Sequence, residues 1–137
     1  MEAILRTLRE TLGEAAVLTG EDVRARPVSR IVQSGCEAGA LVRPASTEEV
    51  ALVLRLCHEA GQPVVPRAGM TGLVGGSLAG PGEIALSLER MNRIEEIDPV
   101  SQTMTVQAGT PLQAIQEAAE AQGMLFPLDL GARGSAS

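Results

Sequence analysis

The 137-residue sequence predicts an α+β fold with a small parallel part. Three observations carry this. A short apolar run "ALVR" (40–43), a helix-period stretch from Ser46 to Gly61 and a second apolar run "PVV" (63–65) form one βαβ unit, whose two strands should run parallel. Farther on, "RIEEID" (93–98) and "TMTVQA" (103–108) flank an Asp98-Pro99 turn and read as an antiparallel pair. Helix-period segments stand near both ends. The coarse order is helix, strand, helix, strand, loop, three strands, helix, tail.

Taken in order, Ile4, Leu5, Leu8 and Leu12 share one face of a leading helix that Gly13 stops. Residues 14–39 read as irregular, punctuated by Gly20, Pro27, Gly35 and Gly39. In the next helix Ser46 and Glu49 have capping-box spacing, and Val50, Val53, Leu54 and Cys57 form its inner stripe. Gly61 is placed to end it. "EIALSL" (83–88) should turn Ile84, Leu86 and Leu88 inward, and Met104, Val106 and Ala108 alternate in the same way. Thr110-Pro111-Leu112-Gln113 caps a last helix, with Pro111 at its first position. Leu112, Ile115, Ala118 and Ala119 face inward there, Gly123 ends the helix, and residues 125–137 form a glycine-rich tail.

Composition removes several function classes. The formal net charge is −6 and no basic run occurs, so binding to a nucleic-acid backbone is not expected. Phe126 is the sole aromatic residue, which leaves no stacking platform for single strands. All 11 basic residues are arginine, so the lysine of a nucleoside-triphosphatase loop cannot be supplied. No apolar stretch is long enough for a membrane span, and the charged N-terminus does not read as a signal peptide. A cytoplasmic protein is the resulting expectation. Cys36 and Cys57 have no metal-site spacing and read as plain thiols, and the single histidine, His58, falls on the polar side of a helix; no metal ligand and no catalytic residue is expected.

The stretch "PVVPRAGMTGLVGGS" (63–77) holds Gly69, Gly72, Gly75 and Gly76 just after a buried strand. Such a run lets backbone amides converge on an anion without a lysine, and each glycine can take positive φ freely. Thr71 and Ser77 add hydroxyls, and Arg67 is the nearby cation. The Rossmann fingerprint does not fit, because the spacing differs and a loop and strand follow rather than a helix. The residues alone leave two readings open: a ligand-free surface turn, or a loop that holds a phosphate-bearing ligand.

A resemblance narrows this choice. "RPASTEEVALVLRLCHEAGQPVVPRAGMTGLVGGS" (43–77), "ALSLERMNRIEEIDPVSQTMTVQAGTPL" (85–112) and "FPLDLGARGS" (126–135) are similar, in order, to the FAD-linked oxidases, with their FAD-binding PCMH-type, or vanillyl-alcohol-oxidase-type, domain. The branch with D-2-hydroxyglutarate, D-lactate and glycolate dehydrogenases is the nearest in pattern, and "PLDLGARGS" points to the first of these. The resemblance implies that residues 1–137 form the N-terminal part of such a domain: residues 1–14 as a leading helix, a small βαβ subdomain, and the start of a second, β-rich subdomain. The domain would be truncated and the substrate domain absent. It implies that Pro66, Arg67, Ala68, Gly69, Met70, Thr71, Gly72, Gly75, Gly76 and Ser77 wrap the FAD pyrophosphate, chiefly through main-chain amides. Pro127, Leu128, Asp129, Gly131, Ala132, Gly134 and Ser135 would line the same cofactor. The family pattern has two glycines where this chain has Ala68-Gly69; a positive φ at Ala68 would cost about 1 kcal/mol.

The implied reaction of the longer protein is transfer of a hydride from C2 of a small D-2-hydroxy acid to the flavin, giving a 2-oxo acid. No His, Cys or Tyr lies within residues 66–77, so FAD should be bound non-covalently. The competing expectation is a chain without flavin or activity that serves as an interaction module. An incompletely covered core would favour self-association, a homodimer being one form of it.

Overall fold

The computed structural model describes residues 1–28 and 35–137. Its elements are α1 (Glu2–Leu12), β1 (Val17–Leu18), α2 (Glu21–Arg24), β2 (Ala40–Val42), α3 (Thr47–Glu59), β3 (Val64–Arg67), β4 (Ile84–Ser87), β5 (Ile94–Asp98), β6 (Thr103–Val106) and α4 (Leu112–Ala121). The α+β expectation holds. A four-stranded sheet has the order β1-β2-β4-β3, and β5 and β6 form a separate two-stranded sheet.

The βαβ unit forms with one strand inserted. β2 and β3 both run parallel to β4, which lies between them and takes Ala40 and Val64 as its partners at Ile84. Each strand of this trio therefore points the same way, and the loops that follow β3 and β4 leave from one end of the sheet. β3 runs on past the expected residue 65 to Arg67. Pro66 does not interrupt it because β3 is an edge strand, where a missing amide leaves no ladder bond unmade.

β4 is buried at every position rather than on one face. Alternation shows instead in where the side chains go. Ile84 and Leu86 join Ala40 and Val42 in a cluster with Leu5 and Leu8 of α1 and Val53 and Cys57 of α3. Ala85 and Leu41 join Val23, Val28, Cys36, Ala38 and Ala79 in a second cluster on the opposite face. A parallel sheet covered on both faces reads as a continuous apolar run. Cys36 and Cys57 are both free thiols, lie in different clusters, and are buried; burial pushes the Cys57 thiol above its ordinary value.

Local signals explain the helices. The Glu49 amide donates to Ser46 Oγ at 3.3 Å, while Glu49 Oε2 accepts from the Ala45 amide at 2.7 Å, a capping box displaced by one residue on its return leg. The Gly61 amide reaches His58 O and the Gln62 amide reaches Cys57 O, closing α3 in a Schellman motif with Gly61 at φ 61°. α4 ends in the same way around Gly123.

Four expectations need correction. The stretch 14–39 is not wholly irregular: β1 adds an antiparallel edge with Val17 opposite Val42, and α2 follows. Its residues 29–34 lie outside the described residues. Leu54 is 47% exposed, and Leu56 packs on the core in its place. Pro111 stands one residue before α4 rather than as its first residue. Thr110 does not cap α4; its hydroxyl donates to Arg93 O at 3.3 Å.

The hairpin is less covered than the sheet. Met104 and Val106 are only half-buried, and Thr103 and Thr105 are exposed. Asp98 shapes its turn, accepting from the Val100 amide at 2.9 Å and from the Ser101 hydroxyl at 2.6 Å.

Candidate functional site

The glycine loop begins where β3 ends. Leu88, just after β4, donates its amide to Arg67 O at 3.0 Å, so the ends of these two strands are pinned side by side. Carboxyl ends of parallel strands are where α/β sheets bind ligands, because loops diverge there and leave a crevice. A cleft of about 190 Å³ lies at this end, lined by Ala68, Gly69, Glu89, Asn92, Gly109, Pro111, Ser135 and Ser137.

Two glycines permit this junction. A Cβ at Gly69 would sit 1.8 Å from Ser135 O, and one at Gly109 would sit 2.0 Å from Leu88 O. Only glycine lets the backbones approach so closely. The tail is seated by α4: the Leu112 amide donates to Ala136 O at 2.7 Å and the Gln113 amide to Arg133 O at 2.9 Å. Those tail carbonyls fill the start of α4, so its first amides are not free for an anion.

The loop itself has a different character. Among the described residues, no backbone amide from Gly69 to Ser77 donates to another protein group. Backbone amides are obligatory donors, so this row is available to solvent or to a ligand. No atom lies within 4 Å of where a Cβ at Gly72 or Gly76 would be. Of the loop glycines only Gly75 takes positive φ, at 78°, while the non-glycine Met70 does so at 54°. Ala68 does not, so its methyl carries no backbone strain.

Arg67, the cation nearest the loop in sequence, is turned inward. It is 5% exposed. Its NH1 donates to Cys36 Sγ at 2.9 Å, its Nε to Met70 Sδ at 3.3 Å, and its NH2 to Pro27 O. The cleft wall carries a carboxylate instead, Glu89. Arg26 holds it in a two-pronged pair at 3.1 and 3.2 Å, and Arg43 NH1 lies 3.1 Å from Glu89 Oε1. Two arginines beside one carboxylate leave this rim without excess negative charge, which suits an anionic guest.

The structure thus brings Ala68, Gly69 and Ser135 into one cleft, from two segments far apart in sequence. Met70, Thr71, Gly72, Gly75, Gly76 and Ser77 continue outward along the loop, and Pro66 lies within β3. Leu128 lines a separate apolar cleft of about 340 Å³, with Val106, Leu112, Ile115 and Phe126. Asp129 pairs with Arg133 at 3.8 Å, and Ala132 accepts from the Ser135 and Ala136 amides within the tail turn. Pro127, Gly131 and Gly134 lie in the same tail and do not line the 190 Å³ cleft. Glu89, Asn92, Gly109 and Pro111 were not legible as cleft residues, since their convergence depends on packing between distant segments. Among the described residues no group of three His, Cys, Asp or Glu side chains converges as a metal site.

A mixed fold with a glycine loop at the carboxyl end of parallel strands, and a second segment pressed on that loop, defines a dinucleotide-type cofactor domain. The family model described as "FAD binding domain" matches residues 38–137, and the chain belongs to that family; its cofactor is FAD. A D-2-hydroxyglutarate dehydrogenase of Xanthomonas citri is 48% identical over 98 residues, covering 72% of this chain and 21% of that protein. A D-lactate dehydrogenase of Anaerostipes hadrus is 43% identical over 91 residues, covering 66% of this chain and 19% of that protein. The chain therefore spans about a fifth of the length of these relatives. Among solved structures, an alkyldihydroxyacetonephosphate synthase superposes with a TM-score of 0.84 at 19% identity, over 99% of this chain and 28% of that one, and shares the fold.

FAD suits the residues present. The free amide row supplies donors for phosphate oxygens, the junction at Gly69 would be filled by any side chain, and the open flank at Gly72 and Gly76 gives a ligand room.

Proposed function

We propose that this chain supplies the phosphate-holding part of the FAD site in a flavin-dependent dehydrogenase of D-2-hydroxy acids, of the 2-hydroxyglutarate, lactate or glycolate type. The row of amides from Gly69 to Ser77 at the end of β3, which donate to no protein group among the described residues, carries the reading. Pro66 and Arg67 anchor that row in the sheet. Thr71 and Ser77 add hydroxyl donors, and Ala68, Gly69 and Ser135 form the wall where loop and tail meet. The names of the relatives support the substrate class.

When bound, FAD supplies the acceptor for the hydride that leaves C2 of the hydroxy acid. The share of this chain is binding and orientation. Main-chain donors would hold the pyrophosphate without a charged side chain, and Ser135 and Ser137 of the tail would line the same cleft. Non-covalent binding is supported by the described residues at the cleft, which include no His, Cys or Tyr.

Gly72→Val tests the reading. Gly72 has ordinary φ and open space where its Cβ would be, so the variant should fold normally. Its branched side chain would stand where the phosphates approach. FAD affinity, followed by flavin-fluorescence quenching, should fall at least about ten-fold. Unchanged affinity with quenching intact would place the cofactor elsewhere. Extending the chain with the remainder found in its relatives and assaying D-2-hydroxy acids with an artificial acceptor tests the substrate class.

A further inference from the structure

We infer that Arg67 is a positioning residue for the amide row, acting from beneath the loop through Met70; this rests on the assignment of that row to FAD. Three observations converge. Arg67 is buried, although it immediately precedes the exposed loop. Its guanidinium reaches three groups from three places in the chain: Pro27 O, Cys36 Sγ at 2.9 Å and Met70 Sδ at 3.3 Å. Met70 holds a left-handed backbone, φ 54°, which a side chain rarely adopts without support.

The fork geometry of guanidinium explains the choice of residue. NH1 and NH2 fix the head group against Cys36, which packs in the cluster on one face of the sheet, and against Pro27 O. Nε is then left pointing along the loop, where the Met70 thioether accepts. A lysine could not fill three separated acceptors from one rigid plane. Met70 lies one residue beyond Gly69, whose backbone presses on Ser135. Holding Met70 therefore sets the direction in which the following amides, Thr71 to Ser77, leave the sheet. Arg67 thereby spares the loop part of the entropy lost when its amides are ordered around phosphate.

The test uses the whole 137-residue chain. Backbone order parameters of residues 68–77 are measured by ¹⁵N relaxation without cofactor, alongside FAD affinity and amide exchange in α3 and β4. Met70→Leu keeps the volume and removes the sulfur acceptor. It should lower the order of Gly69–Gly72 and weaken FAD about five-fold, with exchange in α3 and β4 unchanged. Arg67→Lys should not restore either property, because charge without the fork is insufficient. The inference is overturned if Met70→Leu leaves loop order unchanged, or if Arg67→Lys behaves as the unsubstituted chain. Failure of the unsubstituted chain to bind FAD would remove the cofactor assignment alone, since loop order still reports whether Arg67 and Met70 set the loop.

Discussion

The four-stranded sheet and the C-terminal hairpin with its helix and tail are built from similar material but finished differently. The sheet has a cluster on each face, and Leu8, Val42, Val53 and Ile84 are fully buried. In the C-terminal part, Val100 is 94% exposed, Leu125 85% and Leu128 50%. An apolar cleft stays open between β6, α4 and the tail. The difference teaches where stability and binding divide. The sheet holds itself together and offers a rigid edge; the C-terminal part supplies the second wall and leaves apolar surface that a further surface could cover. The cleft of about 190 Å³, lined by Ala68 and Gly69 from one side and Gly109 and Ser135 from the other, lies on the seam between them.

Single truncations should separate the two regions most sharply. Leu8→Ala removes a fully buried side chain and should cost about 2–5 kcal/mol in urea unfolding. Leu128→Ala, half-exposed, should change stability by no more than about 0.5 kcal/mol. Equal losses would mean that the tail packs as tightly as the sheet.

A smaller effect tests the entry to α3. Ser46→Ala removes the acceptor of the Glu49 amide and should cost about 1 kcal/mol, with the hairpin unaffected. The smallest expected effect lies in the hairpin turn. The Ser101 hydroxyl, with the Val100 and Ser101 amides, holds the Asp98 carboxyl below its ordinary value of 3.8. A lowered folded value adds stability above the unfolded pKa and loses it as pH falls through the folded one. Asp98→Ala should therefore narrow the stability difference between neutral pH and pH below about 3.8, seen in thermal unfolding across that range. An unchanged pH profile would show that the turn does not contribute.

Much of the sheet region was legible because its signals are local. Ser46, Glu49 and Gly61 carry capping chemistry within a few residues, and Ile84 to Leu86 carry apolar continuity. β1 was not legible: two residues have no periodicity, and Val17 becomes a strand by pairing with Val42. The insertion of β4 between β2 and β3 is likewise a tertiary choice. At the site, the glycine loop announced itself through composition. The inward turn of Arg67 did not, because charge alone predicts exposure, and the acceptors it finds, the buried Cys36 Sγ and Pro27 O, reverse it. Glu89 and Gly109 enter the cleft through contacts with distant segments.

The central claim is that the free amides of the glycine loop hold the phosphates of FAD. The most direct measurement is an amide-resolved NMR titration of the chain with FAD. The account predicts that the Gly69–Ser77 amides and that of Ser135 shift together and saturate at one affinity, while α1 and α3 stay still. Saturable FAD binding with those amides unmoved would contradict it.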